Sequence, residues 1–314
     1  TDGTRNISIG TNSLKTMTTG KDSIAIGHNA LYEQVSTGGG ATTENNNVAI
    51  GSYAGEDITT GKDNVFIGKG TGKLSTTCDN CIVIGAEACG ADMTGNDNII
   101  MGKGAAGVLT NGAGNIAIGT DAFDKAKTSN SNVIIGRGAG GTSGAVGDPH
   151  PTNPQVGTGD LDSGMSNCIL IGRSAGSKLS GGMIGVIAIG DEALKEASVG
   201  GDSGGGVTDD IGIAIGKGTL IACTTGHKNT AVGTQAMMSS TTGSKNVGLG
   251  RHALMMNVSG NQMTALGYDT MQNWTCTGDS PNISIGMESM KGTSGGPGGG
   301  TNTAKKNVAI GVKM

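Results

Sequence analysis

Hydrophobic and polar positions along this chain follow one short phrase. Asn64-Val65-Phe66-Ile67-Gly68 recurs as Asn47-Val48-Ala49-Ile50-Gly51, Asn98-Ile99-Ile100-Met101-Gly102, Asn115-Ile116-Ala117-Ile118-Gly119 and Asn132-Val133-Ile134-Ile135-Gly136, and again at Asn282 and Asn307. The closing glycines are Gly10, Gly27, Gly51, Gly68, Gly85, Gly102, Gly119, Gly136, Gly172, Gly190, Gly216, Gly233, Gly250, Gly267, Gly286 and Gly311, sixteen copies, most of them 17 residues apart. Large aliphatics on alternate positions, rich in Val and Ile and free of Pro, predict a short β-strand in every copy rather than a helix. A fixed period below twenty residues that runs from end to end predicts a stack of coils. The expected fold is therefore all-β, a parallel β-solenoid (β-roll) of about sixteen coils, in a single domain spanning 1–314.

The positions after each glycine sharpen the expectation. Two mostly polar residues are followed by a small one, as at Ala30, Ala54, Thr71, Ala88, Ala105 and Ala122, which reads as the start of a second short strand. The coil then closes on Thr-Gly and two polar residues, as in Thr60-Gly61-Lys62-Asp63 and Thr94-Gly95-Asn96-Asp97, where glycine is expected to supply a positive φ. Surplus residues break the period near 36–46, 141–166, 198–211 and 291–306, the second containing Pro149, Pro151 and Pro154. All fall before a new copy of the phrase, which predicts a lateral row of loops at one corner of the solenoid.

Alternation divides each strand into two faces. The residues one and three before the glycine are almost all large aliphatics, and Ile26, Ile50, Ile67, Ile84, Ile118, Ile135, Ile171 and Ile215 are expected to form the core. The residue between them should then face outward. That set reads Ala25, Ala49, Phe66, Val83, Ile100, Ala117, Ile134, Leu170 and Ala214, with no charge in it, so it is the candidate subunit interface. An apolar stripe on the outside implies a covering protein surface.

Composition excludes more than it assigns. The net charge is -4 and no basic cluster occurs, which argues against nucleic acid as a partner. No apolar run approaches the roughly 20 residues of a membrane-spanning helix, and the segment from Thr1 has no signal-like character, so no membrane insertion is expected of it. Gly102-Lys103-Gly104-Ala105-Ala106-Gly107 matches a dinucleotide pattern, but as one copy of the repeat with no helix after it. Cys78, Cys81 and Cys89 suggest a small bridge or apolar fillers ahead of a metal site. Asp22, Asp63, Asp79 and Asp97 read as solvated turn residues. His28, His150, His227 and His252 form no recurring set with Ser and Asp. No catalytic residue, cofactor or metal is expected, and the chain is read as a non-enzyme.

The repeated Asn-Val-Ala-Ile-Gly phrase followed by a small residue resembles the heads of trimeric autotransporter adhesins, the YadA-like family, over nearly the whole chain. It is also similar to the Ala-Leu-containing repeats of phage and large-virus tail or surface fibres, matched at Asn29-Ala30-Leu31 and His252-Ala253-Leu254. The resemblance implies a left-handed coil, a homotrimer, and a place outside the cell or on a virion surface. The expected function is an extracellular structural fibre or adhesin segment that mediates attachment to a cell or surface, with a receptor or glycan as possible partner. A virus tail-fibre shaft with receptor-binding loops is one alternative. The other is ice or crystal-surface binding, suggested by Thr18, Thr59, Thr76, Thr110, Thr224 and Thr241 in one phase of the coil.

Overall fold

The computed structural model describes residues 3–35, 44–125, 127–141, 165–179, 184–196, 212–292 and 305–313. They form an all-β parallel β-solenoid with about 17 residues per turn. About thirteen coils are distinguished, and a strand of the main sheet precedes each of the sixteen closing glycines. The long steps into Gly51, Gly172, Gly216 and Gly311 run through residues outside those described. For the same reason the expected loops near 36–46, 141–166, 198–211 and 291–306 lie wholly or largely outside the described residues.

The chain divides into two compact units, parting between 166 and 167 among the described residues. In the first, β1 (Ile7–Ile9), β2 (Ile24–Ile26), β3 (Val48–Ile50), β4 (Val65–Ile67), β5 (Ile82–Ile84), β6 (Ile99–Met101), β7 (Ile116–Ile118) and β8 (Val133–Ile135) pair in chain order, all parallel. In the second, β9 (Ile169–Ile171), β10 (Ile187–Ile189), β11 (Gly212–Ile215), β12 (Asn229–Val232) and β13 (Val247–Leu249) continue the same way. There β14 (Ser259–Asn261) pairs with β16 (Thr277–Asp279), while β15 (Thr264–Leu266), β17 (Ile283–Ile285) and β18 (Val308–Ile310) extend the main sheet. Register follows the phrase without slip: Ile99 faces Ile116, Ile100 faces Ala117, and Met101 faces Ile118.

The two faces of the strands are inverted relative to the sequence expectation. Ala25, Ala49, Phe66, Val83, Ile100, Ala117, Ile134, Leu170 and Ala214 are all fully buried inside the coil, so they cannot line a subunit interface. Ile26, Ile50, Ile67, Ile84, Ile118, Ile135, Ile171 and Ile215 stand partly exposed on the outer face. The reason is volume. A coil this narrow holds one or two large side chains, and the middle strand residue shares its space with the fourth residue after the glycine. Large and small alternate between the two positions: Ala25 with Leu31, Phe66 with Gly72, Ile100 with Ala106, Ala117 with Phe123, Ala188 with Leu194, Ala214 with Leu220. At Gly72 an added Cβ would fall on the Phe66 ring.

The expected second strand is a chain of turns instead. The second and fourth residues after the glycine are left-handed, for example Asn29 (φ 56) and Leu31 (φ 49), or Asp121 (φ 52) and Phe123 (φ 59). Such alternation cannot extend into a strand. It also filters composition, because a β-branched residue is severely strained at positive φ. None of the non-glycine residues in that region is Ile, Val or Thr, and the left-handed positions that reach the core carry Leu, Met, Phe, Cys, Ala or Gly. Gly61 and Gly95 do not supply positive φ, which falls two residues later at Asp63 and Asp97. They are glycine because a Cβ there would strike the next coil, at Cys78 O and Gly112 O respectively. The same holds at the closing glycines: a Cβ on Gly102 would collide with Gly119 O.

Eight of the phrases open on a buried asparagine, and this residue stitches coil to coil. Asn115 Nδ2 donates to Ser129 O at 2.8 Å, and Asn115 Oδ1 accepts from the Asn132 backbone N at 3.2 Å and from Asn132 Nδ2 at 2.9 Å. Asn47, Asn64, Asn98, Asn229 and Asn246 repeat both roles. The amide thereby satisfies backbone groups that lie inside the coil, where unpaired ones are costly.

Two outcomes follow from these contacts. Asn115→Ala strands a buried carbonyl and a buried N–H, and should lower unfolding free energy by about 2–4 kcal/mol in urea titration. Phe66→Ala should cost about 3–5 kcal/mol and Gly72→Phe a similar amount by overpacking. The double variant reproduces the Ala117 and Phe123 arrangement, and should recover at least half of the summed loss.

Candidate interaction face

The outer face of the first unit is two columns of aliphatic side chains. Its residues are Ile7 and Ile9, Ile24 and Ile26, Val48 and Ile50, Val65 and Ile67, Ile82 and Ile84, Ile99 and Met101, Ile116 and Ile118, Val133 and Ile135, without one polar member. Strand alternation places them there. Within β3, β5 and β6 the middle residue is 0% exposed, while Ile50, Ile82 and Met101 each retain 38%. Eight strands at about 4.8 Å and three residues of width make an apolar strip on the order of 300 Å². Patches of that size on soluble proteins are commonly functional. The second unit carries the same columns, interrupted by Thr230 and Thr264.

The strip is bordered by polar turns. Asp63, Val65, Ile67 and Lys69 succeed one another on alternate positions, as do Asp97, Ile99, Met101 and Lys103. Asp63 accepts a hydrogen bond from Asn46 Nδ2 at 2.8 Å, and Asp97 one from Asn80 Nδ2 at 3.2 Å. Asp22 is held below the usual carboxylate range by its hydrogen bond to Arg5, a bidentate pair along the same edge.

The other candidate residues do not converge. All six cysteines are buried free thiols. Burial pushes Cys89 up to about 12 and Cys223 up to about 11, so both are protonated fillers at neutral pH. A hydrogen bond to Cys81, reinforced by burial, pushes Cys78 up as well. No group of His, Cys, Asp or Glu suited to a metal ion occurs among the described residues. Nor is any helix there long and apolar enough to cross a membrane. Four threonines of the column donate to the backbone, Thr59 to Thr76 O at 3.1 Å, Thr110 to Lys127 O at 3.0 Å, Thr224 to Thr241 O at 3.1 Å and Thr241 to Val258 O at 3.2 Å, while Thr76 donates to Asp92 Oδ1 at 2.9 Å. His252 lies between Asp269 Oδ1 and Gln235 Oε1, each at 2.9 Å, a network the sequence did not signal beyond its 17-residue spacing.

The fold and this face define a class, that of parallel β-solenoid repeat proteins. No family model matches the chain, and no curated protein matches it.

One buried acid stands apart. Asp124 follows Phe123 in the turn, its Oδ1 has no hydrogen-bond partner, and burial pushes its pKa to about 7. Below about pH 4 it is protonated in folded and unfolded chains alike. Between pH 4 and 7 only the unfolded chain releases the proton, so stability falls as pH rises through that window. Asp124→Asn should therefore raise the melting temperature little at pH 4. At pH 8 it should stabilise by roughly 1–4 kcal/mol, read by calorimetry at both values.

Proposed function

We propose that this chain is a structural segment of an extracellular fibre or adhesin, non-catalytic, which assembles with copies of itself through the outer aliphatic face and carries lateral loops for attachment to a cell or surface. The observation that carries this reading is the double column in the first unit, sixteen aliphatics on one sheet face without a polar interruption. A sheet face that met only water would alternate with polar residues. The resemblance of the Asn-Val-Ala-Ile-Gly phrase to trimeric adhesin heads and virus fibres supports the same reading, and with it a left-handed coil and a homotrimer. The threonine column supports ice binding less well, since its hydroxyl protons are directed into the neighbouring coil. A cell-surface receptor or glycan is the partner this reading implies.

Adjacent substitutions test it. Ile118→Asp puts a carboxylate on the outer face, where burial against a second copy would leave it unpaired and desolvated. Ala117→Asp puts one inside the coil. Native mass spectrometry and circular dichroism should show an oligomeric wild type, an Ile118→Asp variant that dissociates with its β signal intact, and an Ala117→Asp variant that loses β structure. A monomeric wild type at micromolar concentration overturns the reading.

A further inference from the structure

We infer that copies of this chain pack parallel and in register, the entry edge of one outer face lying against the exit edge of the next, with Asp63 and Asp97 of one copy paired to Lys69 and Lys103 of its neighbour. The inference rests on the proposal that a second copy covers the aliphatic face, and adds how that copy is oriented. Its basis is the charge carried by the two borders of single coils. In the coil closing at Gly68 the entry position is Asp63 and the exit position Lys69, and in the coil closing at Gly102 they are Asp97 and Lys103. All four side chains are exposed. Neither lysine forms an ion pair with a carboxylate among the described residues, and the two aspartates have only Asn46 and Asn80 as side-chain partners there.

Geometry forbids the match within one copy. Asp97 and Lys103 are separated by the width of the strand, six residues of nearly extended chain or about 20 Å. Placing two copies side by side with their axes parallel brings entry edge to exit edge at the same level, which joins Asp63 to Lys69 and Asp97 to Lys103. Turning one copy antiparallel, face to face, brings entry edge to entry edge, and Asp63 then meets Asp97. In the coils closing at Gly85 and Gly119 both positions are uncharged, Asn80 with Ala86 and Gly114 with Thr120, and Glu87 and Asp121 lie one residue further on. No coil of the first unit therefore sets like charges at its entry and exit positions. In the second unit the equivalent positions Lys245 and Arg251 are alike in sign, and Arg251 is turned along its own column to the Tyr268 hydroxyl at 2.8 Å. The acid–base match thus belongs to the first unit. Exposed ion pairs add little affinity, so their effect is on orientation: the parallel arrangement is matched and the antiparallel one opposed.

The test uses the full chain carrying Asp97→Cys and Lys103→Cys together, oxidised with copper phenanthroline, alongside each single variant. A parallel, in-register assembly gives covalent multimers up to the full oligomer from the double variant and only background from either single one. Dimers from a variant carrying Asp63→Cys and Asp97→Cys together would show entry against entry and overturn the inference while leaving self-association standing. An oligomer by native mass spectrometry without cross-links would do the same, and a monomeric wild type would remove both. Charge reversal provides a second readout. Asp63→Lys with Asp97→Lys should raise the concentration at half-assembly roughly tenfold. Adding Lys69→Asp and Lys103→Asp should restore it, and failure to restore it would count against the pairing.

Discussion

Closing a coil in about 17 residues is the constraint from which the other features follow. A chain that turns so tightly needs left-handed residues at several points in each circuit, and these exclude β-branched side chains. Ile and Val are kept out of the left-handed positions. Where such a position places a large side chain in the interior, as at Leu31 and Phe123, it is filled by Leu, Met or Phe, which tolerate that backbone at a cost of about 1–2 kcal/mol each. Because the coil is narrow, every large residue on one side demands a small one on the other. Phe66 requires Gly72, and Phe123 requires Ala117.

Stacking such coils creates a second demand. Backbones approach so closely at the closing glycines that no Cβ fits, and the carbonyls and N–H groups before each strand are sealed from water. The asparagine ladder meets that demand with one side chain that donates across a coil and accepts from the next. Its interruption at Cys81 shows how the ladder adjusts. Gly95 O, which an asparagine at 81 would have served, receives Asn98 Nδ2 at 3.1 Å and the Cys81 thiol at 3.5 Å. Asn98 still reaches Gly112 O at 2.8 Å, so the neighbouring coil keeps its contact.

Much of this was legible in the sequence, because register depends on backbone stacking and the phrase repeats wherever that stacking does. Strand positions, their parallel order and the phase of the turns could all be placed from the glycines. Which strand face lies inside could not be read from alternation, since both faces are apolar and alternation separates them without ranking them. The discriminating signal was the inverse variation of size between the middle strand residue and the fourth residue after the glycine, as in Phe66 with Gly72 and Ala117 with Phe123. Columns that share a space trade volume. The outer columns, Ile or Val almost throughout, show no such trade. Glycine was misread at Gly61 and Gly95 for a related reason: its usual association with positive φ hid the simpler requirement that another backbone lies against it.

A thin interior and an apolar exterior are consequences of the same geometry. Ala25, Ala49, Ala117, Ala188, Ala214 and Ala231 bury little surface each, so a coil's own core rests on one or two larger side chains and on its hydrogen bonds. The two outer aliphatics of each strand represent the larger unused hydrophobic area, at roughly 2 kcal/mol for a side chain taken fully from water. Ile50, Ile82 and Met101 still expose 38% each, so covering the strip would add to the apolar burial of these coils. Under the proposed assembly, folding and association are then coupled by mass action, and the stability of one copy depends on the concentration of the others. Edge charges fit this division of labour. The aliphatic columns are nearly identical from coil to coil, so in the proposed assembly they would hold a second copy without fixing its direction, and only the unequal borders of the strip would distinguish one orientation from its reverse.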